Sequence, residues 1–437
     1  MNTSFETYWT EAQKSLVGGV SSSFRYNPFT GKPMYLSKAH STFIYDLDGN
    51  QFTDFFMGHG ACTLGHNRAE ISAAMKQVFD IGFFAEFDHP LTGELAKKIV
   101  EHVPCAEQVR YVNSGSEATL LSLRLARGYT GRKKIVRVDG HFHGGHDYAL
   151  LNNLAAFIDF DNRGSGLSNI HHSSAGIPVN VDDTLYVIPW NNAEAFEKLA
   201  REKGHEIAAI LMNPIDYNNG CIGSSTEYLQ AVRKICDEHG IVFIIDEILS
   251  GFRTGISCGH GYYGVMPDLC MLGKALTNGV PLAAIAGKKK ITDKIMDPID
   301  PVVAGGTFSG NLFGCAAGIE AMKIMEQPGF FEAWLKRVDN FYAQLQAIFD
   351  ETDFPAIVQG IGCTFGIYVG TREPVRNYHD IAERTNPELR KAFFSKCIEK
   401  GLYFHTDFTV SAQHDESLLA RSLDVLRDVT HAVKATL

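Results

Sequence analysis

The segment IVFIIDEILSGFRTG, residues 241–255, decides how the fold is read. Its first five residues are apolar without alternation, so a strand here is covered on both faces, as in a parallel sheet flanked by helices. The run ends on two acids, Asp246 and Glu247, and breaks into a small-residue turn at Ser250-Gly251. Ligands in open α/β sheets gather beyond the carboxyl ends of strands, which makes Asp246 a candidate site residue. Ile248 lies two positions on and shares a face with it if the strand continues.

Outward from this segment the pattern repeats. Apolar strands are expected at 109–112, 135–138, 185–188, 207–212 and 282–286, and helices at 69–80 and 116–128 alternate with them. Residues 43–52, FIYDLDGNQF, alternate around Asp48-Gly49-Asn50, a hairpin signal inside an N-terminal segment that reads as an extended arm. Past about residue 325 the rhythm changes, with helices near 330–350, 386–400 and 415–434 around strands within 356–369 and 402–405. The expected architecture is an α/β large domain at 66–325, its mainly parallel sheet covered by helices. A smaller α+β domain is expected from residues 326–437 and the arm at 1–65.

The chain has 437 residues, 45% of them hydrophobic, enough for a sizeable core. Its net charge is −10, and the basic runs at 132–134 and 288–290 stand alone, so no nucleic-acid partner is expected. Nine scattered cysteines without a CxxC pair suit a reducing cytoplasm. No apolar run approaches the roughly 20 residues that cross a bilayer, and the first residues do not read as a signal peptide; no membrane partner is expected.

Three more strand ends carry chemistry. In VRYVNSGSEATLLSLRLARG, residues 109–128, a strand runs into Asn113-Ser114-Gly115-Ser116 and then a helix. Free amides at the helix start make an anion cradle, unless Ser114 merely caps the helix. In DGHFHGGHD, residues 139–147, the residues His141, His143, His146 and Asp147 could ligate a metal. The two glycines suggest a turn rather than a rigid ligand platform, no further His/Cys cluster completes the set, and no metal is expected. In MPDLCMLGKALTNG, residues 266–279, Lys274 follows an apolar run.

An acidic strand end also occurs in P-loop NTPases, but the chain contains no G-x-x-x-x-G-K-[ST], and Lys274 follows a single glycine. An anion cradle, a fixed acid, the aromatic Phe142 in a glycine-rich turn and a lysine fit one cofactor, pyridoxal phosphate. Its aldehyde needs an amine, its pyridine nitrogen a carboxylate and its phosphate an anion site. Lys274 then serves as Schiff-base partner and as the base that moves a proton.

Over nearly its whole length the chain resembles the class III, fold-type I aminotransferases, and within them the glutamate-1-semialdehyde aminomutase-like branch. The matching blocks are GGVSSSFR at 18–25, YDLDGNQFTDF at 45–55, VNSGSEATLLSLRLARGYTGR at 112–132, IIDEILSGFR at 244–253, DLCMLGKAL at 268–276 and GGTFSGN at 305–311. The resemblance implies Lys274 for the Schiff base, Asp246 for the pyridine nitrogen, and Ser114, Gly115 and Ser116 for the phosphate. It implies Phe142 and Ile248 on the two ring faces, with His143 and Asn218 beside the cofactor. Thr307 would reach the phosphate of a neighbouring subunit, implying a homodimer with shared active sites. Arg25 matches the arginine that binds the substrate carboxylate.

Three departures narrow the activity. Asn213 replaces the glutamate with which relatives that use glutamate as donor pair a mobile arginine. Gly145 stands where 4-aminobutyrate- and acetylornithine-type enzymes carry arginine. His59 stands where the aminomutases carry tryptophan, on the substrate side of the site. The resemblance therefore implies transfer of an amino group between a carboxylate-bearing amino acid, of β-, aryl- or other non-standard kind, and a keto acid. Glutamate-1-semialdehyde 2,1-aminomutase activity and amino-acid racemisation or epimerisation are the alternatives on the same scaffold.

Overall fold

The computed structural model of the chain describes residues 4–82, 84–153 and 166–436. Sixteen strands are described among them. They are β1 (Leu36–His40), β2 (Phe43–Asp46), β3 (Gln51–Asp54), β4 (Gln108–Val112), β5 (Lys134–Val138), β6 (Leu185–Ile188), β7 (Ile207–Met212) and β8 (Ile215–Asp216). The rest are β9 (Ile222–Gly223), β10 (Val242–Glu247), β11 (Leu269–Leu272), β12 (Ala283–Gly287), β13 (Ala356–Ile361), β14 (Thr364–Val369), β15 (Leu402–Tyr403) and β16 (Phe408–Thr409).

The larger of two compact units comprises Glu70–Glu332 and Val375–Glu383. Its seven-stranded sheet runs β4-β12-β11-β10-β7-β5-β6. Strands β11, β10, β7, β5 and β6 pair in parallel, whereas β12 is antiparallel to both β11 and β4. Strands β7, β10, β11 and β12 are buried at every residue, as their unbroken apolar runs require. Helix Gly115–Thr130 covers one face with Ala118, Leu121, Leu125 and Ala126, which pack with Ala209, Ile244, Met271 and Ile285 of the sheet. Each such leucine contributes about 1.5–3 kcal/mol through burial. Pairing Ile245 with Met212 and Glu247 with Leu272 brings the carboxyl ends of β7, β10 and β11 into one row.

The smaller unit comprises Met1–Ala69, Ala333–Pro374 and Arg384–Leu437. Its N-terminal part is more than an extended arm. It begins with helix Phe5–Ala12, and β1, β2 and β3 form a meander whose turn is held where Asn50 N–H donates to Asp46 Oδ1 at 2.8 Å. Strand β3 pairs in parallel with β15, so the first and last parts of the chain share a sheet. An aromatic cluster including Phe55, Phe341, Phe365, Phe394, Phe404 and Phe408 fills its core.

Candidate functional site

Strand β10 delivers Asp246 at its end with 5% of its surface exposed. The Asp246 Oδ1 accepts from the Ile248 N–H at 2.9 Å, and Oδ2 from His143 Nδ1 at 2.7 Å. Burial drives the His143 pKa down more than the adjacent carboxylate raises it, so the ring is neutral and its one proton lies on Nδ1, toward Asp246. Each carboxylate oxygen keeps a further lone pair, so Asp246 can accept a third donor from the strand-end side.

The neighbouring histidines are set differently. Asn213 N–H donates to His141 Nδ1 at 3.0 Å, leaving the His141 proton on Nε2, and burial holds this ring neutral too. Burial and then the Arg137 charge push His146 down to about 4. Arg137, fully buried in β5, donates to the carbonyls of Leu151 and His141, and so fixes the start of the turn from within. Among the described residues no group of three His, Cys, Asp or Glu side chains could hold a metal ion. The second acid of β10, Glu247, turns away and accepts from Ser250 Oγ, the amides of Gly259 and His260, and His260 Nδ1.

The expected anion cradle is the passage where β4 meets helix Gly115–Thr130. Ser114 Oγ accepts from the Glu117 N–H at 3.2 Å, so this hydroxyl is the helix cap. Ser116 Oγ accepts from the Gly145 N–H at 3.0 Å, joining the helix start to the turn that carries Phe142 and His143. The contact demands glycine: a Cβ on Gly144, whose φ is +105°, would lie 2.5 Å from Ser116 Oγ.

Ile248 ties cradle and lysine together. A Cβ on Gly115 would lie 3.1 Å from Ile248 Cγ2, and one on Gly273 would lie 3.0 Å from its Cδ1. Lys274 follows Gly273 directly with a left-handed φ of 45°, which costs a non-glycine residue about 1–2 kcal/mol. Such strain is stored where a side chain must be aimed.

Other expected residues stand on other elements. Asn218 donates through its amide at 2.9 Å and its Nδ2 at 3.2 Å to Asp216 Oδ1, shaping the loop after β8. Thr307 is exposed, on a loop that with residues 84–87 lines a groove of about 350 Å³. Arg25 and His59 belong to the smaller unit. There Arg25 is exposed, and His59, at a φ of 59°, engages the buried Asp407 through Nδ1. Phe56 stacks on His405 at 4.4 Å, and burial pushes His405 down to about 4.

The arrangement has the chemistry for an anionic, aromatic, carbonyl-bearing cofactor. Ser116 and the helix start suit an anion, Asp246 a protonated ring nitrogen, and Lys274 an aldehyde. The link from His143 to Asp246 was not drawn from the sequence, in which the two stand 103 residues apart.

Residues 26–420 match the family model described as aminotransferase class-III. The glutamate-1-semialdehyde 2,1-aminomutase of Methanocaldococcus jannaschii is 36% identical over 427 residues, covering 96% of each chain. An omega-transaminase from Sphaerobacter thermophilus superposes with a TM-score of 0.89 at 25% identity, over 98% of this chain and 97% of that one. A transaminase with PLP bound superposes with a TM-score of 0.86 at 25% identity, over 99% of this chain and 98% of the other.

Proposed function

We propose, from the premise that the chain belongs to the class-III aminotransferase family and that its cofactor is pyridoxal 5′-phosphate, that it is a transaminase acting on a carboxylate-bearing amino acid of β-, aryl- or other non-standard kind. The observation that carries the reading is the row of strand ends where Asp246, the Ser116 cradle and the Lys274 loop meet around Ile248. When bound, pyridoxal phosphate supplies an aldehyde that condenses with amines and a ring that draws electrons from the substrate carbon.

The chain's own residues then divide the work. Asp246, oriented by His143 and the Ile248 amide, holds a proton on the ring nitrogen. Gly115 and Ser116 bind the phosphate, with Ser114 keeping the helix start in shape. Phe142 and Ile248 flank the ring. Lys274 would hold the aldehyde, and its amine would move a proton at the substrate carbon. Arg25 takes the substrate carboxylate through its planar fork, and His59, oriented by Asp407, meets the substrate side chain.

The working form we infer is a homodimer in which Thr307 reaches the partner's phosphate. It is supported by exposed Phe79, Phe84, Phe87 and Phe308, of which the last three line one groove while Phe79 packs edge-on against Phe313 of the same groove. Nine cysteines, none of them in a disulfide, support a reducing, cytoplasmic setting, and no helix among the described residues is long and apolar enough to cross a membrane.

A second reading, glutamate-1-semialdehyde aminomutase, is favoured by the 36% identity to an enzyme of that name. Asn213 in place of a glutamate suits it as well, since an aminomutase needs no switch between two substrates. Incubating the enzyme with single amino donors, with and without pyruvate or 2-oxoglutarate, separates the two. Acceptor-dependent keto-acid formation supports the transaminase; turnover of the semialdehyde with no acceptor overturns it. Inversion with solvent deuterium uptake and no keto product would assign a racemase.

A further inference from the structure

Within the last hundred residues, one short segment, Val375–Glu383, counts with the larger unit. It brings Tyr378, 3% exposed, against Gly140 on one side and Asp216 on the other. The Tyr378 hydroxyl donates to Asp216 Oδ2 at 2.8 Å. Its ring covers Gly140 so closely that a Cβ there would lie 2.1 Å from ring carbon Cε2. Gly140 opens the turn that carries Phe142 and His143, and Asp216 is the fully buried carboxylate on which Asn218 and Asn219 converge. Trp190 packs against the Tyr378 ring at 5.7 Å and edge-on to His141 at 4.5 Å. A single side chain, distant in sequence, thus braces the turn on one side and the Asn218 loop on the other.

We infer that Tyr378 is a positioning residue for the cofactor, holding the Gly140–Gly145 turn and the Asn218 loop in place through Gly140 and Asp216 without touching the cofactor itself. This rests on the reading of the turn as the ring's wall. Ring and hydroxyl act separately. The ring sets how far the turn can move outward, and so where His143 meets Asp246. The hydroxyl supplies Asp216 with a donor that a buried carboxylate does not readily replace. Gly140 shows the dependence from the other side, since any side chain at that position displaces the tyrosine.

The test compares wild type, Tyr378→Phe and Tyr378→Leu by pyridoxal phosphate titration of the apoprotein, by the pH midpoint of the holoenzyme's visible absorbance, and by urea unfolding. Leu199→Ala, a buried change on helix Ala193–Lys203, is the control for general destabilisation. The phenylalanine variant is expected to bind the cofactor about threefold to tenfold more weakly and the leucine variant more than about thirtyfold, each tenfold being about 1.4 kcal/mol. Both shift the absorbance midpoint, whereas Leu199→Ala lowers the urea midpoint and moves neither. Variants that bind within about twofold of wild type at an unmoved midpoint overturn the inference. So does a control that weakens binding as much as Tyr378→Leu. Wild-type protein that binds no pyridoxal phosphate overturns the cofactor reading and this inference with it.

Discussion

Replacing His143 with leucine isolates the contact on which the proposed chemistry turns. The wild-type imidazole donates to Asp246 Oδ2 at 2.7 Å, with 2% and 5% of the two residues exposed. Leucine approximates the ring's volume without the donor, leaving Asp246 with the Ile248 amide at 2.9 Å. A hydrogen bond to a buried charged acceptor contributes about 1.5–3 kcal/mol. The same energy is withdrawn from the charge that keeps the ring nitrogen protonated. The expected loss in kcat is therefore about 10- to 150-fold, at 1.36 kcal/mol per tenfold. Weaker pyridoxal phosphate binding accompanies it, with little change in the urea midpoint because an unpartnered buried Nε2 leaves with the ring. Steady-state kinetics, cofactor titration and urea unfolding are measured on one preparation. A variant with kcat and cofactor affinity within about twofold of wild type would refute the coupling.

Gly144→Ala forces a Cβ toward Ser116 at a φ of +105° and is expected to cost about 1–3 kcal/mol and weaken cofactor binding. Gly145→Ala, with nothing within 4 Å and no positive φ, is expected to match wild type in both assays, and equal losses in the two variants would discredit the cradle. Stability has a pH signature with two limbs. Burial lowers His146 and His405 to about 4 and His414 to about 3, so the unfolded chain binds their protons first. Stability is then lost as pH falls below about 6.5, by up to about 1.4 kcal/mol per pH unit for each group. His66 and His260 are raised to about 10 because hydrogen bonds to Asp54 and to Cys105 and Glu247 outweigh burial. Their contribution is complete below about 6.5 and is lost as pH rises toward 10. The melting temperature should peak near neutrality, and His405→Phe should flatten the acid limb; an unaltered limb would contradict the assignment. Phe87→Asp with Phe308→Asp is expected to give monomers by light scattering and to lower cofactor affinity; dimers that persist would place the interface elsewhere.

Much of this was legible in the chain because strand ends in an α/β sheet are local signals. The apolar run into Asp246, the strand-to-helix passage through Gly115 and Ser116, and the lysine after β11 each declare themselves within about ten residues. The reversal of β12 was not read. Its small apolar residues look the same in either direction, and the clue lay in the connection. Residues 273–282 are too few for the dozen or more that a parallel crossover takes. The bracing of the site was not legible at all. Tyr378 and Asp216 stand 162 residues apart, and no periodicity marks either as a partner for the other. The turn signal came from Gly144 and Gly145, and only folding shows that the missing side chain of Gly140 makes room for an aromatic ring.

The central claim is that Lys274, held in its left-handed turn, carries the cofactor. Borohydride reduction of the holoenzyme followed by peptide mapping tests it most directly. The account predicts one pyridoxyl group per chain, on the peptide containing Lys274, with both the label and the visible absorbance absent from Lys274→Ala. A label on another lysine, or a Lys274→Ala protein that is coloured and labelled like wild type, would contradict it.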